Sequence, residues 1–305
     1  MQRLVLVLGI LGARRGPREA GGLPAESRTI HPTLLMPTLP SWNAHHGPLE
    51  LGQEEIHLWQ ADLHGNMAAL PALAATLAPE ELARACQLRL ERDRTSYILA
   101  HGILRTILAR YQGSTPGKLV FRHGPAGKPE LTSRAVRFNM SHADDLVLCA
   151  VSLLRDVGVD VERVRPEVDQ VVGRRLASPR ARRLLQTLPQ PARRRAFFQT
   201  WTRMEAYAKA RGHGPTVDEE TFERFLDLRN PVLSPPPGDG GQQERWWIHD
   251  FSPREGYVAA LAMQGGEPRL RFWEWKAHYL DSAIQFDPSL DRLGSGLQVP
   301  KAATL

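Results

Sequence analysis

The sequence predicts an α+β fold in which one recipe, a long helix with a group of short strands, occurs twice. Three observations predict it. Short apolar and β-branched runs alternate with period two, two long stretches carry apolar residues at helical spacing, and the links between them are brief and rich in Gly, Pro and Asp. Of the 305 residues, 42% are hydrophobic, which is enough to bury a proper core.

In chain order, Met1–Ala13 carries an apolar run like the core of a signal peptide, but Arg14-Arg15 follow and a cleavage site of small residues is poorly formed, with an exported enzyme as the alternative. The run is shorter than the roughly 20 apolar residues a membrane span needs. Residues 1–52 are expected to be disordered or an extension, with the fold beginning at the alternating strand Glu55–Ala61. Ala78-Pro79-Glu80-Glu81 places a proline and acids where a helix's first turn takes them. Ser96–Tyr111 has leucine and isoleucine at helical spacing and stops near Gly113.

Phe121–Pro129 is turn-rich and presents Lys128, and Val136–His142 reads as a strand entering a polar loop. Leu146–Ser152 and Val157–Val164 read as strands, Arg174–Leu188 and Arg193–Arg211 as helices, and Trp246–Phe251 with Tyr257–Met263 as a late strand pair. Ser234–Gln243 is a Pro/Gly loop. The expected divisions are a first half over 53–153, a second over 154–266 and a tail of uncertain order over 267–305.

The formal charge of +6 and the pI near 9.7 favour an anionic partner: nucleic acid, an acidic protein surface or a polyphosphorylated small molecule. No helix-turn-helix, zinc or RNP pattern supports nucleic acid. The arginines between Arg174 and Arg195 read instead as a solvated face or a docking surface for an acidic partner. Cys86 and Cys149 have no metal-ligand or disulfide spacing, so a reducing cytoplasm and no membrane are expected.

Gly158-Val-Asp-Val-Glu162 concentrates the chemistry. On a strand, Asp160 and Glu162 emerge on one face and Val159 and Val161 on the other, so two carboxylates can share one cation. Oxygen ligands of this kind suit Mg²⁺, which leaves its other positions to water and substrate phosphates. In the helix that follows, Trp201, Glu205 and Lys209 fall on one face at i, i+4 and i+8. Glu205 supplies a third carboxylate for that site, while Trp201 reads as core. Ser141-His142 invites a hydrolase reading, but neighbours on an extended chain point apart, and no G-x-S-x-G elbow surrounds the serine.

Phe138-Asn-Met-Ser-His142, Gly158-Val-Asp-Val-Glu162 and Phe197-Phe-Gln-Thr-Trp-Thr-Arg-Met-Glu-Ala-Tyr-Ala-Lys-Ala-Arg-Gly212 occur in order, with Gly127-Lys128-Pro129 ahead of them. Together they resemble the signature blocks of the 4′-phosphopantetheinyl transferase superfamily, in its larger, pseudo-dimeric type. That resemblance implies two pseudo-symmetric halves, each an antiparallel sheet packed on a long helix, with coenzyme A in the cleft between them. It implies transfer of the phosphopantetheine arm to a serine of an apo acyl, peptidyl or aryl carrier protein with release of 3′,5′-ADP, by a cytoplasmic monomer. Mg²⁺ would lie on Asp160, Glu162 and Glu205, with Glu205 also a base for the carrier serine. Lys209, Ser141 and His142 would meet the coenzyme A phosphates, and Lys128 and Arg84 the 3′-phosphate or adenine side.

Two positions depart from the pattern. Glu81 stands where relatives often carry a basic residue, and Met204 stands where a lysine commonly precedes the glutamate, with Arg203 one place earlier. Positions 203 and 204 differ by about 100° around a helix, so Arg203 does not automatically replace that lysine, and Met204 could equally fill an apolar gap. A catalytically weak homologue that binds coenzyme A or a carrier domain is the alternative.

Overall fold

The computed structural model describes residues 38–45, 47, 49–124, 127–133, 135–166, 179–212, 219–226, 232–233 and 245–280. Its strands are β1 Glu55–Asp62, β2 Phe121–His123, β3 Pro129–Leu131, β4 Arg137–Ala143, β5 Leu146–Ser152, β6 Val157–Arg163, β7 Val232–Leu233, β8 Trp246–Phe251, β9 Tyr257–Gln264 and β10 Arg269–Glu274. The α-helices are α1 Leu70–Ala74, α2 Pro79–Cys86, α3 Glu91–Gln112, α4 Pro179–Gln186, α5 Gln190–Arg211 and α6 Glu219–Leu226. The mixed α+β class expected from the sequence is present.

The described residues divide into two compact units. The larger runs to Gly65 and from Val120 to Trp275. It contains two four-stranded sheets, ordered β10-β1-β5-β4 and β6-β9-β8-β7, and the hairpin β2-β3. All pairs are antiparallel except β1 with β10. Ile56, Leu58, Leu148 and Ala150 of the first sheet share an apolar core with Val157, Val159, Val161 and Leu261 of the second. The opposite face of the second sheet, with Ile248, Val258, Ala260 and Ala262, packs on Phe197, Met204, Ala206 and Ala210 of α5. The helix α5 starts with a proline in its first turn and ends at Gly212, whose φ of 65° is the left-handed conformation of a helix stop.

Two segments engage the fold beyond the stretch where the sequence pattern is strongest. Thr38 pairs with Phe251 and Asn43 with Trp273, and Trp42 Nε1 donates to the Pro253 carbonyl at 2.9 Å. Arg269–Glu274, within the stretch read as a tail, is β10 alongside β1. Neither pairing has a local signature, because the partners lie about two hundred residues away.

The smaller unit comprises Asn66–Leu119 and the described residues from Lys276. The α3 helix starts five residues ahead of the apolar run that predicts it and stops at Gly113, φ 55°. Arg105 is fully buried in it: Nε donates to Glu81 Oε2 at 2.7 Å, and Nη1 donates to the carbonyls of Pro116 and Leu119. Glu81 also accepts the Ala78 N–H at the start of α2. These two bonds give the acidic residue at position 81 a structural reason. Arg182 and Arg183 lie on α4, whereas residues 167–178, which carry the start of the predicted 174–188 helix, fall outside the described residues.

Candidate active site

Strand parity sets the site up. Val157, Val159 and Val161 of β6 enter the core shared by the two sheets, which turns Gly158, Asp160 and Glu162 to the other face, toward α5. The helix lies unusually close. A Cβ on Gly158 would sit 2.1 Å from the Ala206 carbonyl oxygen and 2.4 Å from the Ala210 nitrogen, so only glycine admits this approach. Ala206 and Ala210, each nearly fully buried, form the matching small-residue surface of the helix.

With α5 seated this way, the Lys209 ammonium reaches Asp160. Its Nζ donates to Asp160 Oδ1 at 2.5 Å, to Ser141 Oγ at 3.0 Å and to the Val159 carbonyl at 3.3 Å. Ser141 Oγ donates in turn to Asp160 Oδ1 at 2.8 Å. Asp160 is buried, and its Oδ2 has no hydrogen-bond partner among the described residues. Burial, and then the charge of Asp160, push the Glu162 carboxyl well above the usual carboxylate range. Two acidic groups thus crowd one side of β6, with the Lys209 ammonium on the inner of the two.

Asn139, which sequence reasoning quoted but left without a role, joins the two edge strands. Its Oδ1 accepts the Val159 N–H at 2.9 Å, satisfying a buried backbone donor on the strand that carries the carboxylates. Its signal in the sequence is an amide two residues before Ser141 within an apolar strand. His142, next along β4, is exposed and points to the strand's other face.

The remaining expected residues are placed as follows. Glu205 is half-buried one turn before Lys209 on α5. Lys128 donates to the carbonyls of Val157 at 3.0 Å and Ala210 at 3.1 Å, pinning the end of α5 to the start of β6, and burial lowers its pKa. Arg84 is exposed on α2 in the smaller unit. Trp201 is buried against Phe197, as expected of a core residue. Met204 lies in the apolar cluster between α5 and the second sheet. Arg203 grips Asp250 through Nε and Nη2 and donates to the Phe225 carbonyl at 2.7 Å. It is therefore committed to β8 and α6, and it does not stand in for the lysine expected at position 204.

The donor set fits a magnesium ion in part. Among the described residues no three His, Cys, Asp or Glu side chains are gathered as a ready metal cage. Mg²⁺, however, is commonly held by one or two carboxylates together with substrate phosphates. The orphaned Oδ2 of Asp160 and the adjacent Glu162 supply that pair.

Paired acids on a strand, faced by a lysine and a serine hydroxyl, form a site suited to holding phosphate oxygens around a cation. A sequence model of the 4′-phosphopantetheinyl transferase superfamily matches residues 156–262, the stretch that contains β6, α5 and most of β9. The chain is 35% identical over 232 residues to 4′-phosphopantetheinyl transferase HetI of Nostoc sp., a match covering 74% of this chain and 95% of that relative. It is 29% identical over 197 residues to a putative 4′-phosphopantetheinyl transferase of Synechocystis sp., covering 59% and 80%. With the 4′-phosphopantetheinyl transferase gsp of Aneurinibacillus migulanus it shares 30% identity over 131 residues, covering 43% and 54%. The chain belongs to the 4′-phosphopantetheinyl transferase superfamily. Members of this family use coenzyme A to modify carrier proteins. No helix among the described residues is long and apolar enough to cross a membrane.

Proposed function

We infer that this chain transfers the 4′-phosphopantetheine arm of coenzyme A to a serine hydroxyl of an apo carrier protein, releasing 3′,5′-ADP. The observation that carries this reading is the Asp160–Lys209–Ser141 network beside Glu162, which lies in the stretch shared with the transferase relatives. Its frame is read as the larger, pseudo-symmetric type, with coenzyme A lying where Ser141 of the first sheet meets Asp160 of the second.

Asp160 and Glu162 would hold Mg²⁺, with Glu205 as a third carboxylate. When bound, the ion neutralises the coenzyme A diphosphate and the charge that gathers on the leaving phosphate. Lys209 and Ser141 present donors to phosphate oxygens, while His142, exposed on the other face of β4, would meet only a part of coenzyme A that passes around that strand. Glu205 takes the proton of the attacking carrier serine. Most of the rate then comes from positioning and charge neutralisation, as in other phosphoryl transfers. A carrier with an acidic surface suits the chain's +6 charge and would be steered to it in a salt-sensitive manner. The free thiols of Cys86 and Cys149 suit a reducing cytoplasm, and the chain is read as a monomer there.

The test is to mix the protein with an apo carrier domain, coenzyme A and Mg²⁺ and to read the carrier's intact mass. A phosphopantetheine gain is expected, abolished by chelator and reduced at least about 100-fold in Asp160→Ala. Gain that persists in that variant refutes the site. No gain across several carriers favours the weak homologue that only binds coenzyme A or a carrier.

A further inference from the structure

The Lys209 ammonium has three N–H bonds, and three oxygens lie within reach of them: Asp160 Oδ1, Ser141 Oγ and the Val159 carbonyl. Because Ser141 also donates to Asp160 Oδ1, that one carboxylate oxygen is the focus of the network, while Oδ2 is left without a partner. A positive charge is thus seated on the inner member of the acidic pair. An ammonium 2.5 Å from Oδ1 and a divalent ion about 2.1 Å from the same carboxylate would crowd and repel one another.

The helix itself has little freedom to relieve that conflict. Its backbone at Ala206 and Ala210 rests directly on Gly158, and Lys128 ties its last turn to Val157. Movement is left to the Lys209 side chain, a flexible four-carbon stem that is 20% exposed.

We propose that Lys209 is the resident cation of Asp160 in the metal-free protein, and that it passes from Asp160 to the diphosphate of coenzyme A when a divalent ion takes the carboxylate pair. This rests on the reading of Asp160 and Glu162 as the metal pair. Without coenzyme A, the displaced ammonium exchanges its ion pair and protein oxygens for water alone, so metal alone binds weakly. With coenzyme A present, phosphate oxygens receive it. Metal and coenzyme A therefore bind with positive coupling, and each raises the affinity for the other by the same factor.

The experiment uses Mn²⁺ as the probe, its binding followed by electron paramagnetic resonance with and without coenzyme A, in wild type and Lys209→Gln. Lys209→Gln is expected to bind Mn²⁺ alone about tenfold more tightly than wild type, by the scale of a lost charge-assisted bond. The gain that coenzyme A gives to Mn²⁺ binding is expected to shrink in that variant. Wild type that takes up no Mn²⁺ in either condition overturns the carboxylate-pair reading itself. Wild type that binds Mn²⁺ while Lys209→Gln binds it no more tightly overturns the resident lysine alone. A second measurement needs no variant: amine-reactive labelling of Lys209, read by peptide mass, should be slow in the metal-free protein, faster with Mn²⁺, and slow again with Mn²⁺ and coenzyme A. A labelling rate indifferent to Mn²⁺ rejects the hand-over.

Discussion

Replacing Gly158 with alanine presses a methyl group against the backbone of α5. The new carbon would lie 2.1 Å from the Ala206 oxygen, 2.4 Å from the Ala210 nitrogen and 3.0 Å from the Ala210 Cα. All three are main-chain atoms of a buried helix, so no side chain can swing aside. The helix must retreat from β6 by roughly 1 Å to reach ordinary contact distances, against tight interior packing. Overpacking of this kind costs about 3 kcal/mol. At a urea slope of about 3 kcal/mol per M, the unfolding midpoint should fall by about 1 M. The same retreat stretches the 2.5 Å bond from Lys209 to Asp160 to about 3.5 Å, the limit of hydrogen-bonding range, so carrier modification should fall with stability. Gly266→Ala, where no atom lies within 4 Å, is the control and should stay within about 0.5 kcal/mol of wild type. A Gly158→Ala protein with a wild-type midpoint and an undiminished transfer rate would refute the claim that this contact seats the helix.

Two further predictions concern buried positions. Met204→Lys restores the residue commonly found before the glutamate, yet Met204 is 5% exposed within the apolar cluster between α5 and the second sheet. The variant should lose about 3 kcal/mol or more and transfer more slowly; a faster rate at unchanged stability would show that the missing lysine limits catalysis. His57 is buried beside Trp273, and desolvation lowers its pKa from 6.5 to about 4. The folded state favours the neutral ring, so its contribution to stability is fully present above about pH 6.5 and lost as pH falls toward 4. Wild type should lose about 2 kcal/mol between pH 7.5 and 5 from this group, measured by urea titration. His57→Phe should flatten that part of the profile, and an identical pH dependence in the variant would count against it.

The sequence reading and the structure agree where the governing interaction is local. The two faces of β6 follow from strand parity, the stop of α3 from Gly113, and the stop of α5 from Gly212. Trp201, Glu205 and Lys209 share a helix face because 3.6 residues make a turn. The sequence is silent where an answer depends on a distant partner. Lys128 is expected near the nucleotide of coenzyme A, and the fold adds a carbonyl partner for it at Ala210, 82 residues away. Whether Arg203 replaces the missing lysine is open in the sequence until Asp250, 47 residues on, claims it. Arg269–Glu274 is too charged to announce a strand, and becomes one because the edge of β1 offers a hydrogen-bonding ladder.

By itself the sequence determined which chemistry this protein carries: two acids on one strand face, a glutamate and a lysine one turn apart on a helix, and an Asn-Met-Ser-His strand, all in the order of a 4′-phosphopantetheinyl transferase. Periodicity suffices for that much, since side-chain direction repeats with the backbone. Only the tertiary structure decided how those groups meet. Gly158 lets α5 approach until Lys209 rests on Asp160, Asn139 and Ser141 cross from one sheet to the other, and Met204 turns into the core. Such distances are set by the packing of segments far apart in the chain, and no local pattern encodes them.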